Sequence, residues 1–194
     1  MIETDLWPFV PAKFFQRLPK TPRRSVRVLV IHDMEAPERL DTAEAIARYF
    51  RDMPDNRKAS AHVCVDADSV VQCVHDNDIA YAAPGCNRDG IQIELAGYGS
   101  QSRGQWLDTY SDALLALGAN VAAQYCLKYG IPPIHLTDAE LQEGARGIVG
   151  HDQVSRVYKQ SDHTDPGQHY PWDVFMNRVV RYLAERRERF GLPT

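Results

Sequence analysis

The sequence predicts a one-domain α/β protein with a central mixed β-sheet flanked by helices, and three observations predict it. Short β-branched runs alternate along the chain with stretches of helical apolar spacing, instead of segregating into a strand half and a helix half. The 194 residues are enough for one sizeable core and short of the usual size of two. No internal repeat or low-complexity tract interrupts the alternation.

Residues 1–25 are rich in proline and basic side chains and carry the aromatics Trp7, Phe9, Phe14 and Phe15. They read as an N-terminal arm packed on a domain formed by residues 26–194. Val26-Arg27-Val28-Leu29-Val30-Ile31 reads as a buried strand that ends in His32. Asp41-Thr42 offers an N-cap for a helix with Ala43, Ile46, Ala47, Phe50 and Met53 on one face, closed by Pro54. Residues 60–65 and 70–74 read as two strands around the turn Asp66-Ala67-Asp68-Ser69. Ile91-Gln92-Ile93-Glu94-Leu95 alternates and predicts another strand, followed by a loop marked by Gly97, Gly99 and Gly104. Ser111 is placed to cap a long helix whose face runs through Leu114, Leu117, Gly118, Val121, Ala122 and Tyr125 and which Gly130 and Pro132 close. Residues 131–170 read as loop-rich. Pro171 then opens a last helix with Trp172, Phe175, Met176, Val179 and Leu183 on one stripe.

Composition narrows the function classes. A net charge of −4 leaves no electrostatic footprint for nucleic acid. Cys64, Cys73, Cys86 and Cys126 form no C-x-x-C pair, which argues against a cysteine zinc knuckle, and they read as free thiols. The acidic start Met1-Ile2-Glu3-Thr4-Asp5 and the breaks at Pro8 and Pro11 do not make an export signal. No apolar run approaches the roughly 20 residues that span a bilayer. The expectation is a soluble protein made in the cytoplasm, with no nucleic-acid partner and no membrane insertion.

Four places in the chain can carry chemistry. His32 stands at the end of an apolar strand, where α/β folds deliver side chains to a cleft, although a strand-end histidine alone also reads as packing. Gly150-His151-Asp152 is followed fourteen residues later by Asp165 in Thr164-Asp165-Pro166-Gly167. Two histidines and one carboxylate suit a catalytic zinc, because the fourth coordination position stays open for water, yet Asp-Pro-Gly is also ordinary turn chemistry. Glu94 places a carboxylate among Ile91, Ile93 and Leu95, either as a general base or as an edge-strand residue facing solvent. His163, two residues before Asp165, reads as a donor to a reacting carbonyl or as a surface loop residue.

Taken in order, the strand ending in His32, Ala59-Ser60-Ala61-His62 before a hairpin, Ile91-Gln92-Ile93-Glu94, Gly150-His151, and His163-Thr164-Asp165-Pro166-Gly167 followed by Tyr170-Pro171-Trp172 resemble the type-2 N-acetylmuramoyl-L-alanine amidases, whose fold is that of the peptidoglycan recognition proteins. The resemblance runs from about residue 26 to about residue 185 and is most specific between His163 and Trp172. It implies zinc as cofactor, His32, His151 and Asp165 as its ligands, Glu94 as the catalytic glutamate, and His163 as the side chain near the scissile carbonyl. One branch of the family uses a tyrosine just before the hairpin histidine. Ala61 stands there, which makes Glu94 the more necessary as base. A further departure is Tyr81-Ala82-Ala83-Pro84-Gly85, where the family often carries a histidine; this touches substrate contacts and not the metal.

The implied substrate is peptidoglycan, a muramyl peptide cut between lactyl group and L-alanine. The protein looks most like a monomeric phage endolysin, or a prophage-encoded relative, that reaches the wall after holin-type release. Residues 96–106, with Tyr98 and Trp106, and residues 81–88 are the expected walls of the substrate groove. A non-catalytic peptidoglycan-binding module and a cytoplasmic amidase recycling soluble muropeptides are the alternatives. A zinc peptidase is disfavoured by the absence of H-E-x-x-H.

Overall fold

The structure, a computed structural model, describes residues 7–193; residues 1–6 of the predicted arm and the last residue lie outside the described residues. A five-stranded sheet with order β3-β2-β4-β1-β5 is built from β1 (Val28–Asp33), β2 (Val63–Val65), β3 (Val70–Gln72), β4 (Gly90–Leu95) and β5 (Gly147–Gly150). Only β3 runs antiparallel to its neighbour, so the sheet is mixed, as the sequence predicts. The helices are α1 (Thr42–Arg51), α2 (Thr109–Tyr129), α3 (Asp138–Gln142), α4 (His151–Tyr158) and α5 (Trp172–Arg189). Among the described residues, no helix is long and apolar enough to cross a membrane.

The strands are covered on both faces, which is why they read as continuous apolar runs. Leu29 and Ile31 of β1, Ile91, Ile93 and Leu95 of β4, and Val63 and Val65 of β2 pack with Leu114 and Val121 of α2 and Phe175, Val179 and Leu183 of α5. On the opposite face Val28, Val30 and Val149 meet Leu141 of α3 and Val154 of α4. Farther along that face Cys64 and Val71 meet Ala43, Ala47 and Phe50 of α1. Alternation along β1 therefore turns His32 toward the α1/α4 side of the sheet.

Several elements depart from expectation for identifiable reasons. Asp41 makes no side-chain cap on α1; the amide of Ala43 is bonded instead by Asp66 Oδ2, at 2.9 Å, from the β2–β3 turn. The other oxygen of Asp66 accepts from the amides of Asp68 and Ser69, so one buried carboxylate closes a turn and starts a helix. Helix α1 ends at Arg51, before Pro54. The cap of α2 is Asp108, whose side chain accepts from the Ser111 amide at 2.9 Å, while the Ser111 hydroxyl bonds to Glu38. Residues 131–170 are not a long loop: they contain α3, β5 and α4. Four to eight residues give too little periodicity to read, although Thr137-Asp138-Ala139-Glu140 spells the capping box that opens α3.

The segment before β1 runs along the outer edge of the hairpin. Val10 and Ala12 donate to the carbonyls of Gln72 and Cys73, each at 2.9 Å, and cover an otherwise open strand edge. Trp7 packs on Tyr125 with ring centroids 5.9 Å apart. All four cysteines are buried and free, and the Cys64 and Cys73 sulfurs lie 3.8 Å apart across the hairpin.

Candidate metal centre

Three chain segments meet at the carboxyl ends of β1, β4 and β5, the place where open parallel sheets form clefts. The strand register sets His32 beside Glu94, and Glu94 beside Cys64, in one row across the sheet. β5 ends at Gly150, and α4 starts directly with His151, so this histidine is held by a helix's first turn and not by a loop. Gln153 fixes that junction: its Oε1 accepts from the Gly150 amide at 3.0 Å, and its Nε2 donates to the Leu136 carbonyl at 2.7 Å. The Asp152 amide donates to the Asp165 carbonyl at 2.8 Å, which ties the loop of Asp165 to the same helix start. Gly167, at a φ of +94°, lies so close to Gly99 that any side chain would meet its backbone; this lets the Asp165 loop close against the loop after β4.

His32 Nδ1 is 3.0 Å from Asp165 Oδ2, and His151 Nδ1 is 3.1 Å from Asp165 Oδ1. The ligand atoms of these three buried residues all lie within 4.8 Å of one another. Four-coordinate zinc with ligands near 2.0–2.2 Å has ligand atoms about 3.3 Å apart, close to the two histidine–carboxylate distances here. The sequence expected a convergence of these three residues, and the structure brings them together. His32 Nε2 lies 2.9 Å from Gln92 Oε1.

Electrostatics mark the same point. Burial opposes charge on His32, but its bond to Asp165 and the neighbouring Glu94 raise the imidazole to about 9. Burial also opposes charge on Asp165, and hydrogen bonds from His151 and His32 outweigh it, holding the carboxyl far below the usual range. Desolvation pushes Glu94 up to about 8; His32 lowers it, while Asp165 and Asp33 add to the rise. Desolvation, with Asp165 and Glu35 nearby, pushes Asp33 up to about 7. Glu94 Oε2 and Asp33 Oδ2 are shielded from solvent and make no hydrogen bond among the described residues. A concentration of costly carboxylates with bare oxygens beside two imidazoles is what a cation would relieve.

His163 is exposed, stacks on His151 with ring centroids 4.3 Å apart, and sits 3.3 Å from Asp165 Oδ1. It stands at the rim, facing the cleft without entering the triangle. The cleft itself is a cavity of about 730 Å³ that includes all five predicted site residues. β4 is an interior strand, which removes the reading of Glu94 as an edge residue facing solvent.

The groove walls differ from expectation. Tyr81, Ala82, Pro84 and Asn87 line the cavity, but none of residues 96–106 does. Trp106 is fully buried in the core against Tyr170, at 5.2 Å between ring centroids. Its side chain serves packing, as loop aromatics commonly do. Further lining comes from α1 and the segment after it: Ile46, Tyr49, Phe50, Arg57 and Lys58. The apolar spacing of α1 predicts a helix and nothing more, because a groove wall has no sequence signature of its own. Gln92 was likewise read only as part of an alternating strand. Its signal was a polar residue between two isoleucines, the same signal that marked Glu94.

The other histidines stand apart from the triangle. His62 is buried and accepts from the Gln92 amide at 2.9 Å. His75 stacks on Phe9 and His135 on Trp172, at 4.3 and 3.8 Å between ring centroids.

Comparison with known proteins gives a family-level match. A family model described as N-acetylmuramoyl-L-alanine amidase matches residues 22–168. Among curated protein sequences none matches the chain. The Staphylococcus aureus hydrolase AmiA, solved in complex with its ligand, superposes with a TM-score of 0.65 at 17% identity, covering 92% of this chain and 86% of that one. AmpD superposes with a TM-score of 0.60 at 20% identity, covering 89% and 94%. PlyL gives 0.56 at 17% identity, covering 88% of each chain. At these identities the likeness is one of fold.

Proposed function

The chain belongs to the N-acetylmuramoyl-L-alanine amidase family, and from that premise we propose that it is a zinc-dependent hydrolase of the amide joining the lactyl group of N-acetylmuramic acid to L-alanine in peptidoglycan. The observation that carries the zinc assignment is the buried triangle of His32, His151 and Asp165, with ligand atoms within 4.8 Å of one another beside a bare Glu94 oxygen. Two imidazoles and one carboxylate leave a fourth position open to the cleft.

When bound there, zinc supplies Lewis acidity, which polarises a carbonyl and lowers the pKa of water toward about 7. Glu94 is the general base: its unpartnered Oε2 accepts a proton from the attacking water. As the carbon–oxygen bond forms, the lactyl carbonyl oxygen gains negative charge, and the ring of His163 at the rim donates a hydrogen bond to it. Glu94 then returns the proton to the L-alanine nitrogen. The carbon–nitrogen bond breaks, leaving a lactyl carboxyl group and a free amine. Amide nitrogen leaves poorly unless protonated, so the second transfer matters as much as the first. Asp165, held ionised by its two histidine partners, supplies the negative charge that a divalent cation needs.

We propose further that the intact wall is the substrate and that the protein acts as a lysin. The cleft, about 730 Å³ and lined by residues of α1, 81–87 and 161–165, suits a polymer strand crossing the site. Parallel assays on intact sacculi and on soluble muropeptides separate this from recycling of fragments. Faster turnover of the soluble substrate would reverse the assignment.

The zinc assignment is tested by metal analysis of the purified protein and of His151→Ala. The expected result is one zinc per chain in the wild type, loss of activity on chelation with recovery on adding zinc, and neither retained zinc nor turnover in the variant. A His151→Ala protein holding stoichiometric zinc at full activity would contradict it.

A further inference from the structure

We propose that Gln92 is the positioning residue of the metal centre: it fixes the ring of His32 so that Nε2 carries the proton and Nδ1 is the atom offered to the ion. The proposal rests on the zinc site described above and extends it to a residue outside the ligand set.

The orientation of the Gln92 amide follows from its partners. Its Nε2 lies 3.1 Å from the carbonyl oxygen of Cys86, which can only accept. The amide nitrogen therefore faces Cys86, and Oε1 is the atom 2.9 Å from His32 Nε2. A carbonyl oxygen cannot donate, so His32 Nε2 must. Without a metal, Nδ1 donates to Asp165 Oδ2 from 3.0 Å; on binding an ion the ring must give up one proton, and the acceptor at Nε2 keeps the proton there, so the lone pair is freed on Nδ1. A metal-binding histidine generally gives its other ring nitrogen to such an acceptor, which sets both tautomer and ring angle.

Gln92 is itself held on every side. It is fully buried, two residues before the His32–Glu94 row on the same face of the sheet, and beside Val30. Its backbone amide donates to His62 Nδ1 at 2.9 Å, and its carbonyl accepts from the His62 amide at 3.0 Å. Gly90 leaves the space the amide occupies: a Cβ there would come within 2.9 Å of Gln92 Nε2. Its register neighbour Val30 belongs to an apolar cluster with Val28, Ala83 and Val149, so packing alone does not call for an amide at this place. Its two polar ends meet one acceptor carbonyl and one imidazole, and this explains a polar side chain in a buried strand.

The test uses the zinc-loaded protein, Gln92→Met, which keeps length and loses the acceptor, and Gln92→Glu, which keeps an acceptor oxygen. Zinc affinity is measured by competition with a chromogenic chelator, and thermal melts of the metal-free proteins report folding separately. Gln92→Met is expected to bind zinc about 10–100-fold more weakly, the usual effect of removing such a partner. Gln92→Glu is expected to recover most of that loss. In zinc-loaded wild type, long-range nitrogen–proton NMR should show His32 protonated on Nε2 with slow exchange. A His32 ring protonated on Nδ1 overturns the proposal without any variant. So does unchanged zinc affinity in Gln92→Met, or equal weakening in both variants in step with their melting temperatures. Wild type that binds no zinc would sink the metal-site reading itself, and this proposal with it.

Discussion

Glu94 and His62 are both buried beyond their comfort, and each leads to a prediction. Glu94 Oε2 is left bare beside the metal triangle, and its carboxyl is pushed up to about 8 by desolvation before any cation is present. Glu94→Gln keeps the shape and removes the proton acceptor. It should retain zinc and lose kcat by roughly 10²–10⁴-fold, the usual contribution of a general base; steady-state kinetics with zinc content measured on the same sample checks this, and a near-normal kcat removes Glu94 from the mechanism. His62, just before β2, is bonded to the Gln92 amide of the strand that carries Glu94. Burial, then the neighbouring Arg24 charge, pushes its imidazole down to about 3. Since an unfolded histidine titrates near 6.5, the unfolded chain binds the extra proton between those values. Stability from this group is complete above about 6.5 and falls with acidification toward 3, by up to about 1.4 kcal/mol per pH unit. His62→Asn retains an acceptor for the Gln92 amide and cannot protonate, so its urea-unfolding free energy should fall less steeply over that window. Identical slopes would show that His62 does not set the acid sensitivity. At this scale the sequence was legible where a polar residue interrupts an apolar run, as at His32 and Glu94. It was not legible at Asp33 and Gln92, whose importance comes only from which neighbours the sheet gives them.

Elements were legible in proportion to their length. β1, α2 and α5 could be read directly, because several turns or pleats of apolar spacing accumulate. β5 and α4, with four and eight residues, could not, and His151 was accordingly expected in a loop. The consequence is functional: a ligand on a helix's first turn is held more firmly than one on a loop. The same scale explains the misplaced cap of α1. Asp41 is adjacent in sequence, but Asp66 is adjacent in space, and its 2.9 Å bond to the Ala43 amide joins the hairpin turn to the helix that forms one wall of the cleft. Asp66→Ala leaves several amides without acceptors in a buried place. It should cost roughly 1–3 kcal/mol, read as a shift in the urea midpoint. An unchanged midpoint would mean that water replaces the carboxylate at both the turn and the helix start.

The whole molecule keeps its two sheet faces for different purposes. The α2/α5 face is closed by aliphatic and aromatic side chains, with Phe175, Leu114 and Leu95 fully buried. The opposite face is covered by α1, α3 and α4, and the cleft is lined from α1, the start of α4 and the loops beside them. The fold class and the residues of the triangle were legible because the motifs keep their order along the chain. The groove was not legible, because its walls combine an exposed helix side with segments remote from it in sequence, and the loop after β4, expected to form a wall, closes over Trp106 instead. The central claim is that these parts hydrolyse one particular amide, and mass spectrometry of purified peptidoglycan digested by the zinc-loaded protein tests it most directly. The account predicts stem peptides released with free L-alanine amino termini and glycan strands left intact, with no products when zinc is withheld. Cleavage between sugars or within the stem peptide, or binding to the wall with no new amine, would contradict it.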